Sequence, residues 1–386
     1  MAAILVLFLA ASSAPSPIYV IYQQNWQFTA WVLTVVFALY VFGLLGSLLV
    51  VGALSDHLGR RPVLAAAIGL ELVALVLFLV AGNIYVLAVA RVLQGIATGA
   101  ATTTLSAALV DLEPARGRAG VVTSVAPLTG LAFGALGSGL LVEFGPAPTR
   151  LVYIVLLVAM LAAAVIVARM PETSPRRPGA LASLRPRIAM PAHLRADIIP
   201  VVPAMIATWA LAGMYLSLGP SVAAELFGLR SHLVGGAVVT LLAGAGALAI
   251  FLLRSRSAAW LLGPASVLLG FGTLLSLAGV VAELAWLAAV GTVVAGVGFG
   301  ACVLATFGTF ARIARPHERS AVFALANIIN YLGNSVPAVL GGIAVTVVGL
   351  RTATVGYALA IVAITFSAFV LRLNQVRMTT AVAPCT

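Results

Sequence analysis

Two ionisable side chains stand inside apolar runs, where charge is costly: Glu71 in "AAAIGLELVALVL" and Arg91 in "YVLAVARVLQG". Such groups in hydrocarbon are paired or functional. A carboxyl that gains and loses a proton near a fixed guanidinium is equipped for proton exchange, and Gln94, one turn beyond Arg91, joins that set. If both runs are helices, Glu71 lies about 13 Å from one membrane face and Arg91 about 10 Å from the other. In a ~30 Å core they differ in depth by only ~6 Å, so a direct Glu71–Arg91 pair is expected, opened when Glu71 is protonated. A permanent structural pair is the alternative.

A second cluster fills "GALSDHLGRRPVL", residues 52–64. Gly52 and Gly59 tolerate the backbone angles of a tight turn. Asp56 can accept from Arg or face a helix N-terminus elsewhere in the chain, while Arg60 and Arg61 can reach carboxylates or lipid phosphate. The cluster reads as a latch between two parts of the protein, or as a plain basic anchor. A third set, Asn327, Asn330 and Asn334, recurs at three- and four-residue steps with Tyr331 beside it, which puts the amides on one helix face. Amides in hydrocarbon need partners, so this face borders a substrate cavity or another helix. Tyr40, Trp209, Tyr215 and Thr306 are further candidates for substrate binding.

The elements that position these groups are membrane spans. Charged residues are 8% of the 386 and hydrophobic ones 62%, with a mean hydropathy of +1.17. A soluble domain carries about 25% charged residues, so the chain is an integral membrane protein. All 21 basic residues are Arg and the net charge is +11. That excess fits loops facing an anionic membrane surface rather than nucleic acid. Without Lys there is no ATP-binding Gly-x-x-x-x-Gly-Lys loop. Cys302 and Cys385 form no disulfide framework, and His57, His193, His232 and His317 lack metal-ligand spacing, so no metal and no cofactor other than a proton gradient is expected. No span carries two carboxylates, which ranks a metal-dependent membrane enzyme below a transporter.

Crossing the hydrocarbon takes about 20 residues as a helix, and the sequence divides into twelve such spans. The first six are near 2–22, 30–53, 62–81, 84–108, 119–143 and 150–169; the second six are near 198–219, 233–253, 258–281, 284–311, 320–348 and 352–372. The first begins so close to residue 1 that an upstream start is expected. Domains follow as an N-terminal bundle 1–170, a Pro- and Arg-rich central loop 171–197, a C-terminal bundle 198–373 and a tail 374–386. Seventeen Arg fall on the side of the 52–64 loop and three (Arg150, Arg230 and Arg351) on the other. The positive-inside rule then puts both termini in the cytoplasm. "PARGRAGVVTSVAPLTGLAFG" and "RPHERSAVFALANIINYLGNS" repeat the same loop-then-helix pattern about 201 residues apart, the mark of a parallel six-plus-six plan with its site between the halves.

In this twelve-span setting the chain resembles the major facilitator superfamily. Gly52, Asp56, Gly59, Arg60 and Arg61 match its signature between spans two and three, with His57 where a basic residue is usual. "RVLQG" (Arg91 to Gly95) matches a second signature, in span four of many proton-coupled members, and "PET" (Pro171 to Thr173), at the end of span six, is also common in those members. The antiporter signature of span five is half present: Gly130, Gly134, Gly137 and Gly139 remain, with Ala135 in place of Pro. The resemblance implies an all-α membrane protein of twelve helices in two pseudo-symmetric bundles, and offers a different partner for Arg91, the backbone of span one. It also implies a secondary transporter, working by alternating access. A proton-coupled drug-antiporter-like exporter of neutral or weakly cationic apolar compounds is expected, with an uptake symporter for a small metabolite as the alternative. The partners are then substrate, protons and the lipid bilayer, without nucleic acid, for a chain expected to be monomeric. Arg-only, Ala-rich usage points to the plasma (inner) membrane of a bacterium.

Overall fold

A computed structural model describes residues 1–51, 54–112, 118–174, 178–184, 190–315 and 318–381. Gly52 of the loop signature, His317 and Cys385 lie outside them, as do Arg116, Arg176, Arg177, Arg185 and Arg187. The first half comprises α1 (Ala2–Ser13), α2 (Tyr19–Trp26), α3 (Ala30–Val51), α4 (Ser55–Leu58), α5 (Arg60–Val80), α6 (Ile84–Leu112), α7 (Arg118–Phe144) and α8 (Leu151–Arg169). The connecting stretch holds α9 (Ala180–Ser183) and α10 (Arg195–Ile198). The second half comprises α11 (Val202–Ser217), α12 (Gly219–Leu226), α13 (His232–Leu253), α14 (Ala258–Val281), α15 (Ala285–Ile313), α16 (Arg319–Val348) and α17 (Leu350–Ala381). Among the described residues there is no strand, as hydrocarbon demands of a chain that does not close a barrel.

Eleven of the described helices are long and apolar enough to cross a membrane. The remaining crossing corrects the expectation of one continuous span over 2–22. It is built from α1 and α2, separated by a turn at residues 14–18 that contains Pro15 and Pro17. Neither proline has an N–H to give the helix, so its hydrogen bonds lapse there. The seventh crossing breaks in the same way, between α11 and α12, where Pro220 follows Gly219.

The halves meet along two helix pairs, α7 against α13 and α3 against α16. Small residues allow the approach: a Cβ on Gly236 of α13 would collide with the Ala135 carbonyl of α7. Packing of this kind, rather than burial from water, holds helices together in lipid. Some of these contacts lie at the end of the bundle opposite the 55–61 loop. There Thr34 lies against Gly342, and Glu143 accepts a hydrogen bond from the His232 backbone at 2.8 Å, with the His232 ring 3.5 Å away. Deeper in, Thr240 donates to the Ala132 carbonyl at 2.9 Å.

Candidate functional site

The prolines of the first crossing create the site. An intact helix would use the N–H of residue 15 to satisfy the Ala11 carbonyl, and that of residue 16 to satisfy Ser12. Pro15 has no N–H, and the Ser16 N–H turns to Ser13 instead. The Ala14 carbonyl is likewise released, because the Ile18 N–H goes to Pro15. Buried carbonyls must be paired, and three side chains from other helices supply the donors. Gln94 Nε2 donates to Ala11 O at 3.1 Å, Arg91 Nη1 to Ser12 O at 2.9 Å, and Ser138 Oγ to Ala14 O at 2.6 Å.

Glu71 and Arg91 do not pair directly, which corrects the expectation from their depths. Gln94 stands between them. Its Oε1 accepts from Arg91 Nη1 at 2.7 Å, and its Nε2 donates to Glu71 Oε1 at 3.1 Å. The depths were compatible with contact, but Gln94, one turn from Arg91 on α6, presents an acceptor to the guanidinium and a donor to the carboxylate. Arg91 thus reaches the backbone of the first crossing, as the family resemblance implied. Glu71 and Gln94 have no exposed surface and Arg91 only 1%. The guanidinium also lies over two rings, 4.9 Å from the Tyr40 centroid and 5.5 Å from that of Tyr19, which partly replaces lost hydration. Glu71 Oε2 and Arg91 Nε have no hydrogen-bond partner among the described residues.

Arg91 borders a central cavity of about 80 Å3 between the halves. The first half contributes Ser12, Ser13 and Ser16, Phe37 and Tyr40, and Pro127 of α7; the second contributes Trp209, Leu216, Tyr331 and Asn334. Asn334 Nδ2 donates to the Trp209 carbonyl at 3.2 Å, and the Trp209 and Tyr331 rings sit 5.5 Å apart. Tyr40, Arg91, Trp209, Tyr331 and Asn334 are therefore brought together, with Gln94 directly behind Arg91.

Four other candidates fall outside this cavity. Asn330 is fully buried on α16, and neither of its amide atoms has a partner among the described residues. Asn327, one turn earlier, is half-buried. Thr306 bonds to its own helix at the Cys302 and Val303 carbonyls. Tyr215 faces away from the central cavity, toward Ser276 and Thr292. The seryl residues of the first crossing were missed by sequence reasoning, although "SSAPSP" carries the signal: prolines that free carbonyls, flanked by hydroxyls.

The loop cluster binds within the first half. Arg60 pairs with Asp56 and Ser55 on α4 and, through Nε at 3.1 Å, with Asp111 at the end of α6. Glu172, beyond α8, accepts from the backbone N–H of Arg60 at 2.7 Å and of Arg61 at 3.1 Å, so it caps the N-terminus of α5. Gly59 is obligatory there. Its φ is 100°, and a Cβ would strike the Glu172 carboxylate. Asp56 accepts from Arg60, four residues away, which is the first of the two roles its residue type allowed; the helix N-terminus of another part of the chain is not its partner in this structure. Neither Asp111 nor Glu172 was singled out as a partner from sequence, since each is distant along the chain from the loop it serves.

Partial burial pushes the Glu172 carboxyl upward, but the N–H groups of Ser174, Arg60, Arg61 and Thr173 outweigh it and hold the group below the usual carboxylate range. Among the described residues no group of three or more His, Cys, Asp or Glu could hold a metal ion.

Comparison with solved structures places the fold. The chain is similar to the crystal structure of a bacterial homolog to the human lysosomal transporter Spinster in an inward-facing and unoccupied conformation. That match has 14% identity and a TM-score of 0.73, covering 96% of this chain and 95% of the other. The occupied form of that homolog matches at 13% identity and a TM-score of 0.75, with the same coverage. The human organic anion transporter MFSD10 (TETRAN) matches at 16% identity and 0.67, covering 94% of this chain and 96% of that one. The sequence pattern of the Major Facilitator Superfamily matches residues 1–336. A multi-pass helical membrane protein with this fold and this sequence pattern belongs to the Major Facilitator Superfamily and is a transporter of that kind.

Proposed function

We propose that the protein exports neutral or weakly cationic, mainly apolar small molecules across a bacterial inner membrane in exchange for protons. The observation that carries this reading is the buried Glu71–Gln94–Arg91 chain, which ends at the wall of the central cavity. Glu71 Oε2 has no partner among the described residues, so a proton can settle there without breaking the Gln94 bond to Oε1. Neutral Glu71 no longer attracts Arg91 through Gln94, and the guanidinium is then free to turn toward the cavity. Substrate and proton thus compete through one residue, as exchange requires. Among the described residues, the aromatic, amide and hydroxyl walls contain no fixed negative charge and one cation, Arg91, which suits uncharged cargo.

With the 55–61 loop in the cytoplasm, as the Arg distribution favours, the contacts of Thr34 with Gly342 and of Glu143 with His232 close the outer end. Asp56 and Arg60 would then engage the second half only when the protein faces outward. The test is Glu71→Gln in proteoliposomes. Downhill substrate exchange is expected to continue, while substrate-driven proton movement and uphill transport are lost. Uphill transport at a normal pH dependence in that variant would reduce Glu71 to a structural partner.

A further inference from the structure

A second cavity lies within the second half, on the other side of α11 from the central one. Its volume is about 150 Å3, against about 80 Å3 for the central cavity. It runs from Leu211 and Tyr215 out to Phe227, Leu229 and Ala285 at the end opposite the 55–61 loop. Among the described residues no Asp, Glu, Arg or His lines it, and its polar side chains are the hydroxyls of Tyr215, Thr273, Ser276, Thr292 and Thr354.

Each hydroxyl has a single hydrogen to give, and here each is committed. Thr273 donates to the Leu269 carbonyl at 2.7 Å, Thr354 to Leu350 at 2.7 Å and Thr292 to Ala288 at 2.8 Å. Thr292 Oγ1 must therefore accept in its 2.7 Å contact with Tyr215, which uses the phenol hydrogen. Ser276 Oγ, 3.1 Å from the same phenol, is then the donor in that contact. The relay runs from Ser276 through Tyr215 and Thr292 to the backbone. It leaves the remaining lone pairs of Ser276, a partly exposed residue of the cavity wall, as acceptors.

Such a wall favours a ligand that brings a hydrogen and disfavours one that brings only lone pairs, while a full charge would find no counter-ion. We infer that the second half holds a binding site for a neutral, mainly apolar molecule bearing a hydroxyl or amide N–H, separate from the central cavity. The internal repeat supports the assignment. Thr292 stands 201 residues after Arg91 (292 against 91), the interval at which the loop sequences recur. Both residues project from the fourth crossing of their half and bond to the broken first one, Arg91 to Ser12 and Thr292 to Tyr215. Where the first half is packed with an ionisable chain, the second has neutral hydroxyls and open space. This site stands whether or not Glu71 carries protons.

The test photolabels the purified full chain in lipid nanodiscs with a medium-chain alcohol that carries a diazirine. Crosslinks are expected on peptides containing Val222, Val238 or Ala289. Unlabelled alcohol should compete about fivefold better than the matched alkane or carboxylic acid, the scale of one hydrogen bond. Ser276→Ala should erase the alcohol's advantage over the alkane. Val222→Trp, which fills the cavity, should remove the crosslink, whereas Trp209→Ala in the central cavity should leave it. If Val222→Trp does not fold, as judged by size exclusion, Ala289→Leu provides the same filling test. Carriage of the alcohol across vesicles would mark a transported molecule, and retention without carriage a resident lipid alcohol; either supports the site. Equal competition by the alkane, or an unchanged preference in Ser276→Ala, overturns it.

Discussion

Ser16 Oγ donates to the Leu216 carbonyl at 2.6 Å, and this bond ties the break in the first crossing to the break in the seventh. In an unbroken helix the Leu216 carbonyl would accept from residue 220, but residue 220 is proline and has no N–H. Each half therefore interrupts its first helix with proline, and the interruption in one half satisfies the carbonyl freed in the other. A bond of this kind contributes about 1 kcal/mol, or about fivefold in an equilibrium. Ser16→Ala should shift the protein away from the state closed at the end opposite the 55–61 loop. Thr34→Cys, placed in a Cys302→Ala and Cys385→Ala background, reports that closure, because Thr34 is fully buried against Gly342. Its modification by a water-soluble maleimide should speed up about fivefold when Ser16→Ala is added. An unchanged rate would remove this bond from the closure.

Gln94 carries more of the site than its neutral side chain suggests. It satisfies Glu71, Ala11 and Arg91 at once, without surface exposure. Gln94→Leu strands the Glu71 carboxylate oxygen and the Ala11 carbonyl, each costing about 1–3 kcal/mol when left unpaired, and takes one of the two acceptors from Arg91, which keeps the Ser12 carbonyl. Relaxation will recover part of that. A loss of about 2 kcal/mol or more in stability is expected, read as a lower Tm in detergent, together with loss of coupled transport. A variant with normal Tm would show that these bonds are replaced locally.

Much of this architecture was legible in the sequence, because lipid leaves a chain few choices. Span number, the boundaries of the spans other than the first and seventh, and the burial of Glu71 and Arg91 follow from hydropathy and length. What escaped were relations between distant residues. Helix depth placed Glu71 and Arg91 within reach of each other but could not show that Gln94 would take both partners. The three-residue and four-residue steps put Asn327, Asn330 and Asn334 on one face, yet the helix orientation that gives Asn334 to the cavity and buries Asn330 depends on α3 and α11. Pro15 and Pro17 broke a span that hydropathy read as continuous, since proline interrupts backbone hydrogen bonds without making the segment polar.

Glu172 gives the loop cluster an acid limit. Its carboxyl is held below the usual value by N–H donors that prefer the anion, so the stabilisation it supplies is present above the ordinary carboxylate range, about pH 4. That stabilisation is lost as pH falls through the lowered value, and stays intact at neutral pH. The native chain should therefore lose Tm on acidification more steeply than Glu172→Gln, which keeps an acceptor oxygen but does not titrate. Matching pH profiles for the two would show that Glu172 is not a titrating cap. Gly59→Ala should be worse than either at neutral pH, because it adds both a strained φ and a collision with the Glu172 side chain.

Asn330 is a polar side chain that this conformation leaves with both of its amide atoms unserved among the described residues. It has no exposed surface, and neither Oδ1 nor Nδ2 finds a partner among the described residues. An unpaired buried amide costs about 1–3 kcal/mol. Asn334, one turn later on α16, is satisfied by the Trp209 carbonyl, so the cost belongs to position 330 and not to the helix face as a whole. In a protein that alternates between two packings, an amide unpaired in one gains a role if the other packing supplies its partner. Asn330 then lowers the stability of the present state relative to its alternative and assists the exchange between them. Asn330→Leu, which keeps the branching and heavy-atom count without polar atoms, should raise Tm by the equivalent of about 1–2 kcal/mol while slowing transport several-fold. Asn330→Cys in the Cys302→Ala and Cys385→Ala background should resist maleimide at rest and react when substrate drives turnover. If Asn330→Leu lowers Tm and the cysteine stays inert during transport, position 330 is sealed packing in both states.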